Sequence, residues 1–421
     1  MAATVTHRNT CRLCDSTHVT RVVALNPIPL SESYTMDAAT ARLAPRYPID
    51  VYMCEECGHV QHLDVIDPDN LWDSYTYASG EAKGIPEHMR YISAKIRDAV
   101  KAPPNALAFD IGSNDGSLLK TFKDAGFRVV GVDPAKEIAR RANEAGIPTY
   151  PNFMSLELAK KIRDEHGPAH VVTAFNVFAH ADNLGEMADC VREMLAPDGL
   201  FYFEAQYLVD ILDGMLIATI FHEHMSHHSV KPLTKFLDKH GLELISIERA
   251  DIQLGSIIGG VQLKGGKRPV EASVKEILAL EESRGLDKIA VMQDFDARVK
   301  SIRNKATALI EKARREGKTI AAFGAARSGP TLIAQLGLTG AIDYIVDNHP
   351  QKVGKFSSGD GIEILPTDTL FARKPDYCVI LAWVHAQKII ESNQAYLDQG
   401  GHFVVLCPDI KVIGKNGEVA I

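Results

Sequence analysis

No run in this 421-residue sequence approaches eighteen consecutive apolar residues, so no segment reads as a membrane-spanning helix. Basic clusters are also missing. The formal net charge is -8 and no Lys/Arg block stands out, which argues against a general nucleic-acid binder. The opening "MAATVTHRNT" lacks a basic stretch followed by an apolar one, so no signal peptide is expected. An even cysteine framework is absent too. The seven cysteines are Cys11, Cys14, Cys54, Cys57, Cys190, Cys378 and Cys407, with four of them in two tight pairs. That pattern does not suit a secreted disulfide scaffold, and a reducing, cytoplasmic compartment is the expectation. The composition that remains, 46% hydrophobic and 24% charged, is that of a globular chain long enough for two or three cores.

Three textures follow one another. Residues 1–80 are short-stranded and aromatic, with turn residues in "LNPIPLSES" and "DPDN". Residues 81–265 open on a helical stretch near 84–102 and then alternate strand, glycine turn and helix: "ALAFDIG", "RVVGVD", "VVTAFNV", "GLFYFEAQ". Such alternation implies a parallel sheet covered on both faces. Residues 266–421 begin with amphipathic helical sequence and return to the same alternation in "TIAAFGAARSG", "AIDYIVD", "YCVILAW" and "HFVVLCP". The expected fold is therefore α/β, with an N-terminal module, a central doubly wound domain and a second doubly wound domain.

"CRLC" (Cys11, Cys14) and "CEEC" (Cys54, Cys57) are two Cys-x-x-Cys knuckles. Each places two thiolates on one side of a tight turn, and two knuckles complete a tetrahedral four-sulfur set suited to zinc. The alternative is four free thiols or two redox pairs, and neither knuckle opens a βαβ unit as a thioredoxin-type motif would. His18 and His59 are possible substitute ligands. A filled four-cysteine site has no open position, so the zinc would be structural.

"FDIGSNDGSLLKTF" sets Asp110, Gly112, Asn114, Asp115 and Gly116 between a strand and a helix, where open α/β sheets bind ligands. Its G-x-x-x-G spacing departs from the dinucleotide fingerprint, which weakens a dehydrogenase reading. The loop resembles motif I of class I S-adenosylmethionine-dependent methyltransferases. That resemblance implies S-adenosylmethionine as cofactor, with Asp133 of "RVVGVDP" on the ribose hydroxyls.

Over essentially the whole chain the sequence resembles the deoxysugar C-methyltransferases that act on nucleotide-linked keto sugars. The residues carrying this are the two knuckles, "DIGSNDGSLL", "NVFAHADNL", "PDGLFYFEAQYL", "TIFHEH" and "AAFGAARSG…IVDNHPQKVGKF". The resemblance implies a three-domain enzyme whose small-molecule substrate is commonly a TDP-4-keto sugar, and whose general base is the second histidine of a Tyr-His-Glu-His motif. Carried over, it makes His224 the base and Glu223 its close support, with Asn176 and His180 near the reacting carbon or its carbonyl. Tyr75 or Tyr77, with Phe221, His222 and Arg327, would lie on the substrate side. Departures are Phe221 for the family tyrosine, "IAT" at 217–219 for Phe-Asp-Thr, Val384 for an asparagine after Trp383, and Arg327-Ser328-Gly329 for a lysine before glycine.

The chemistry needs such groups. A carbon beside a ketone becomes nucleophilic only on losing a proton, and histidine can take one near neutral pH. The resulting oxyanion needs donors, which Asn176 and His180 are expected to supply and Phe221 cannot. The string "TIFHEHMSHHS" keeps three readings: a catalytic base with supports, a metal nest, or structural histidines. If helical, it would set His224 and His227 or His228 at ligand spacing, but it is not H-E-x-x-H. For His222, His227 and His228 taken singly, a packing or surface role is expected. The late loop "FGAARSGPTL", with Asp347 closing the next strand, is either one wall of the substrate cleft or a second nucleotide site. Arg327 there could pair with a pyrophosphate or make a surface salt bridge. Two rivals stand beside keto-sugar C-methylation: the same build acting on a non-sugar, oxygen or nitrogen acceptor, and a non-catalytic donor-binding protein.

Overall fold

The computed structural model describes residues 3–72 and 77–420. In the N-terminal module, strands Val19–Val23, Val51–Cys54 and Val60–His62 form an antiparallel sheet. Each knuckle is closed by its own backbone: the Asp15 amide donates to Cys11 O at 3.0 Å, and the Gly58 amide to Cys54 O at 2.9 Å. Gly58 sits at φ +81, a conformation that side-chain-bearing residues rarely adopt.

The fourth strand of this sheet comes from far along the chain. Ser226–His227 pairs antiparallel with Val60–His62, setting Ser226 opposite Gln61 and His227 opposite Val60. The histidine-rich string is thus not helical at its C-terminal half, so the ligand spacing that a helix would have given His224, His227 and His228 does not exist. A segment with so little apolar periodicity takes its conformation from the strand edge offered to it.

The central domain has seven strands in the order Leu242–Ala250, Ser256–Leu263, Leu195–Gln206, Ala169–Phe175, Leu107–Ile111, Arg128–Val132, Thr149–Tyr150. The last five in that order are parallel, and Ser256–Leu263 runs antiparallel to both of its neighbours. From Leu107–Ile111 the chain winds outward one way through two strands, then returns to build the other half. The carboxyl ends of Leu107–Ile111 and Ala169–Phe175 therefore diverge at a topological switch point, where α/β sheets open a crevice. The strand cores are continuous apolar runs because helices cover both faces: Leu107–Ile111 is buried throughout.

Helix Ile289–Arg315 buries Met292, Phe295, Val299, Ile302, Ala306, Leu309 and Ala313, alternating three and four residues apart down one face. That face packs on strand Val19–Val23 of the N-terminal module. The C-terminal sheet follows in the order Ile364–Pro366, Tyr344–Asp347, Ile320–Phe323, Tyr377–Ile380, His402–Val405, Lys411–Gly414, Gly417–Val419. Its first five strands are parallel and its last two antiparallel. The architecture is α/β as expected, with a Rossmann-like central sheet, a second, mixed C-terminal sheet and a four-cysteine module. One apolar core runs from Cys11 through Phe203 and Phe295 to Val412, so the three segments are packed as one body. Among the described residues no helix is long and apolar enough to cross a membrane.

Candidate active site and metal centre

The four sulfurs of Cys11, Cys14, Cys54 and Cys57 lie within 4.8 Å of one another. Cys11 Sγ is 3.6 Å from Cys57 Sγ, and Cys14 Sγ is 3.5 Å from Cys54 Sγ. A tetrahedral zinc with Zn–S near 2.3 Å needs sulfurs about 3.8 Å apart, so this set fits the ion with little movement. All four positions would be filled by protein. Arg12, inside the first knuckle, turns inward and is 3% exposed. It donates through Nε to Asp182 of the central domain at 3.0 Å, and through Nη1 to His62 O. The knuckle is thereby fastened to the domain that follows it.

A cleft of about 1800 Å³, counting its open mouth, lies over the switch point between the central domain and the C-terminal loop that carries Arg327. Gly112, Asn114 and Asp133 line one end of it. Gly112 has φ +68, and a Cβ there would stand 2.4 Å from Val177 Cγ2, so only glycine fits. Asp133 Oδ2 accepts from the Asn114 amide at 2.8 Å and Oδ1 from the Ala135 amide at 2.9 Å. Burial pushes this carboxyl up, while the two amides pull the other way. Each oxygen keeps a lone pair for a ligand hydroxyl.

Other members of the glycine loop face away from the cleft. Asp110 is buried, accepts from Thr173 Oγ1 at 2.6 Å, and is pushed up to about 7 by its burial. Asp115 accepts from the Gly80 amide at 2.9 Å and the Ser117 amide at 3.1 Å, so it secures the helix start and the 77–80 segment. Gly116, at φ +76, packs against Ile147.

The same cleft is also lined by Asn176, His180, Phe221 and His224. His224 Nδ1 lies 2.8 Å from Thr219 O, and His180 Nδ1 lies 2.6 Å from Glu223 O. A carbonyl can only accept, so both Nδ1 atoms carry the hydrogen and both Nε2 atoms keep their lone pairs. Burial drives His224 well below the ordinary histidine range, helped by His180 beside it; His180 is lowered to about 4. At neutral pH the cleft therefore meets two bare imidazole nitrogens, with ring centroids 5.0 Å apart. This changes the expectation that His180 donates: its available nitrogen accepts. Phe221 lies against His224 at 4.1 Å between centroids, its ring tilted by 34°, and holds the imidazole from one side.

Glu223 does not line the cleft. Its Oε1 pairs with Arg327 Nη1 at 3.1 Å, and Arg327 Nη2 reaches Glu32 of the N-terminal module at 2.9 Å. The support of His224 is thus the carbonyl of Thr219 rather than the carboxylate of Glu223. Burial raises Glu223 and Arg327 opposes it. Arg327 and Tyr77 both line the cleft, whereas Tyr75 lies outside the described residues. His222 is buried against the N-terminal module, its ring edge-on to Tyr47 at 5.9 Å, away from the cleft. His227 and His228 are buried beside His62 and His59 of the same module. Sequence reasoning passed over His88 and Glu204, which line the cleft and meet at 2.7 Å. The available signal was a lone carboxylate at the end of the apolar strand "GLFYFEAQ".

Comparison with known proteins agrees with this architecture. Family models match at residues 11–72 (a zinc binding domain), 86–247 (methyltransferase domain) and 251–408 (C-methyltransferase C-terminal domain). The C-methyltransferase NovU of Streptomyces niveus is 34% identical over 407 residues, covering 96% of this chain and 97% of that one. Among solved structures, magnesium protoporphyrin IX methyltransferase of Synechocystis with bound S-adenosylhomocysteine is 15% identical with a TM-score of 0.35, covering 47% of this chain and 92% of that one. The CcbJ methyltransferase of Streptomyces caelestis is 13% identical with a TM-score of 0.35, covering 47% and 96%. A zinc-binding module, an S-adenosylmethionine-binding core and the C-terminal domain thus stand in one order along one chain, which belongs to the family of S-adenosylmethionine-dependent C-methyltransferases.

Proposed function

We propose that the acceptor is a nucleotide-linked keto-deoxysugar, of the TDP type, methylated at a carbon next to its ketone through an enolate. The observation that carries this reading is the tautomer of His224: Nδ1–H is committed to Thr219 O, which leaves Nε2 of this cleft-lining ring to act as the base. S-adenosylmethionine, when bound, supplies an electrophilic methyl group on a sulfonium. Gly112, Asn114 and Asp133 would hold its adenosine end. His224 would take the substrate proton, and the Thr219 carbonyl would steady the imidazolium that forms. Since His180 and Phe221 offer no donor at neutral pH, the oxyanion would fall to the side-chain amide of Asn176, the Tyr77 hydroxyl and the Arg327 guanidinium. His180 Nε2 would instead accept from a hydroxyl or amino group on the substrate. Arg327 also suits a diphosphate, because its planar fork pairs with phosphate oxygens.

One observation favours a second reading, methylation of oxygen: two bare imidazole nitrogens suit the deprotonation of a hydroxyl as well. Methyl-labelled S-adenosylmethionine and a panel of TDP-4-keto-deoxysugars, with wild type and His224→Ala, separate the two. Label on a sugar carbon, lost in the variant, is the expected result. Label on oxygen, or on no sugar at all, contradicts the proposal.

A further inference from the structure

The sulfonium of the methyl donor has three arms, and the functional reading above places two of them: adenosine at Asp133 and methyl toward His224. The third arm is a zwitterion, an α-ammonium and an α-carboxylate. Half-buried His88 and buried Glu204 lie on a wall of the same cleft that neither of those roles uses. Glu204 ends strand Leu195–Gln206 and is 0% exposed; His88 stands in the first turns of helix Ile85–Val100. His88 Nε2 donates to Glu204 Oε2 at 2.7 Å, while Glu204 Oε1 is buried with no hydrogen-bond partner. His88 Nδ1 has no partner among the described residues either.

A carboxylate with an orphaned oxygen in so closed a site is costly unless a counter-charge and a further donor reach it. His88 Nε2–H supplies the donor at Oε2, which leaves Oε1 for a cationic group. The pair thus offers a carboxylate fixed at one oxygen and unpartnered at the other. The surrounding backbone places it at the right wall: the Asn176 amide donates to Glu204 O at 2.8 Å, and Ser79, whose amide donates to Asn114 Oδ1 at 2.8 Å, lines the cleft as well. We propose that Glu204 Oε1 receives the α-ammonium of the methyl donor, with His88 holding the carboxylate in position through Oε2. This rests on the placement of adenosine and methyl above, but not on the identity of the acceptor.

The test is calorimetric and needs no acceptor. S-adenosylhomocysteine keeps the amino-acid arm, and 5′-methylthioadenosine lacks it. Glu204→Gln and His88→Asn preserve side-chain shape, and thermal melting checks that each variant is folded. The expected result is a loss of about tenfold or more in S-adenosylhomocysteine affinity in both variants, with methylthioadenosine changed by less than about twofold. Equal loss for both ligands means a general disturbance of the cleft and overturns the assignment. No loss for either ligand overturns it too, and moves the pair to the acceptor side.

Discussion

At the scale of single residues, the proposed chemistry turns on which ring nitrogen carries a hydrogen. His224→Ala should lower methyl transfer by about 10²-fold or more while S-adenosylhomocysteine binding stays near wild type; steady-state rates and calorimetry check this. The pH dependence follows from the same burial. A base acts unprotonated, and His224 lies well below its ordinary value, so kcat/KM should stay flat as pH falls through 6.5 and decline only further into acid. A pH–rate profile with its acid limb centred near 6.5 contradicts that. Which residues line the cleft was in large part legible in the sequence. The glycine loop announced Gly112 and Asn114, the end of the next strand gave Asp133, and the motif resemblance pointed at His224. The acceptor role of His180 was not legible, since it is fixed by the carbonyl of Glu223, 43 residues away. Nor could Asp115 be told apart from a ligand contact, because helix-start and ligand-binding carboxylates look alike in one dimension.

At the scale of elements, the short strand Ser226–His227 joins the metal module to the active site. It pairs with Val60–His62, three residues beyond Cys57, and the His62 amide donates to Met225 O at 2.9 Å. Loosening the knuckles should therefore disturb His224 before it disturbs Gly112 or Asp133. Stripping zinc with a chelator under native conditions is expected to abolish methyl transfer and leave S-adenosylhomocysteine binding within a fewfold of the holoprotein. Metal analysis, activity and calorimetry on one sample check it; full activity after complete zinc loss contradicts it. Helices and parallel strands were readable here because their apolar periods are strong. "HMSHHS" carries no such period, and its β register is imposed by a partner more than 160 residues upstream.

At the scale of the molecule, the three segments share one core and one charged relay: Lys352 with Glu32 at 3.2 Å, Glu32 with Arg327, and Arg327 with Glu223. Buried histidines lie where the N-terminal module meets the central domain. His62, His222 and His228 are each held down to about 4 by burial, against about 6.5 in an unfolded chain. Between these values the unfolded chain binds protons that the native protein does not. Stability should therefore fall as pH is lowered from about 6.5 toward 4, and should show no such histidine-linked loss at higher pH. Denaturant unfolding over a pH series, with zinc content followed, measures it; an unfolding free energy constant over that window contradicts it. The sequence displayed the three-part order plainly. It did not display their fusion into one body, which depends on the packing of helix Ile289–Arg315 against Val19–Val23.

The account's central claim, that His224 makes a carbon acid into a nucleophile, is tested most directly by hydrogen exchange without methyl transfer. Wild type and His224→Ala would be incubated in D₂O with S-adenosylhomocysteine and a TDP-4-keto-deoxysugar, and the sugar followed by proton NMR. The account predicts deuterium at the carbon beside the ketone with wild type and none above background with the variant. Exchange undiminished in His224→Ala contradicts it.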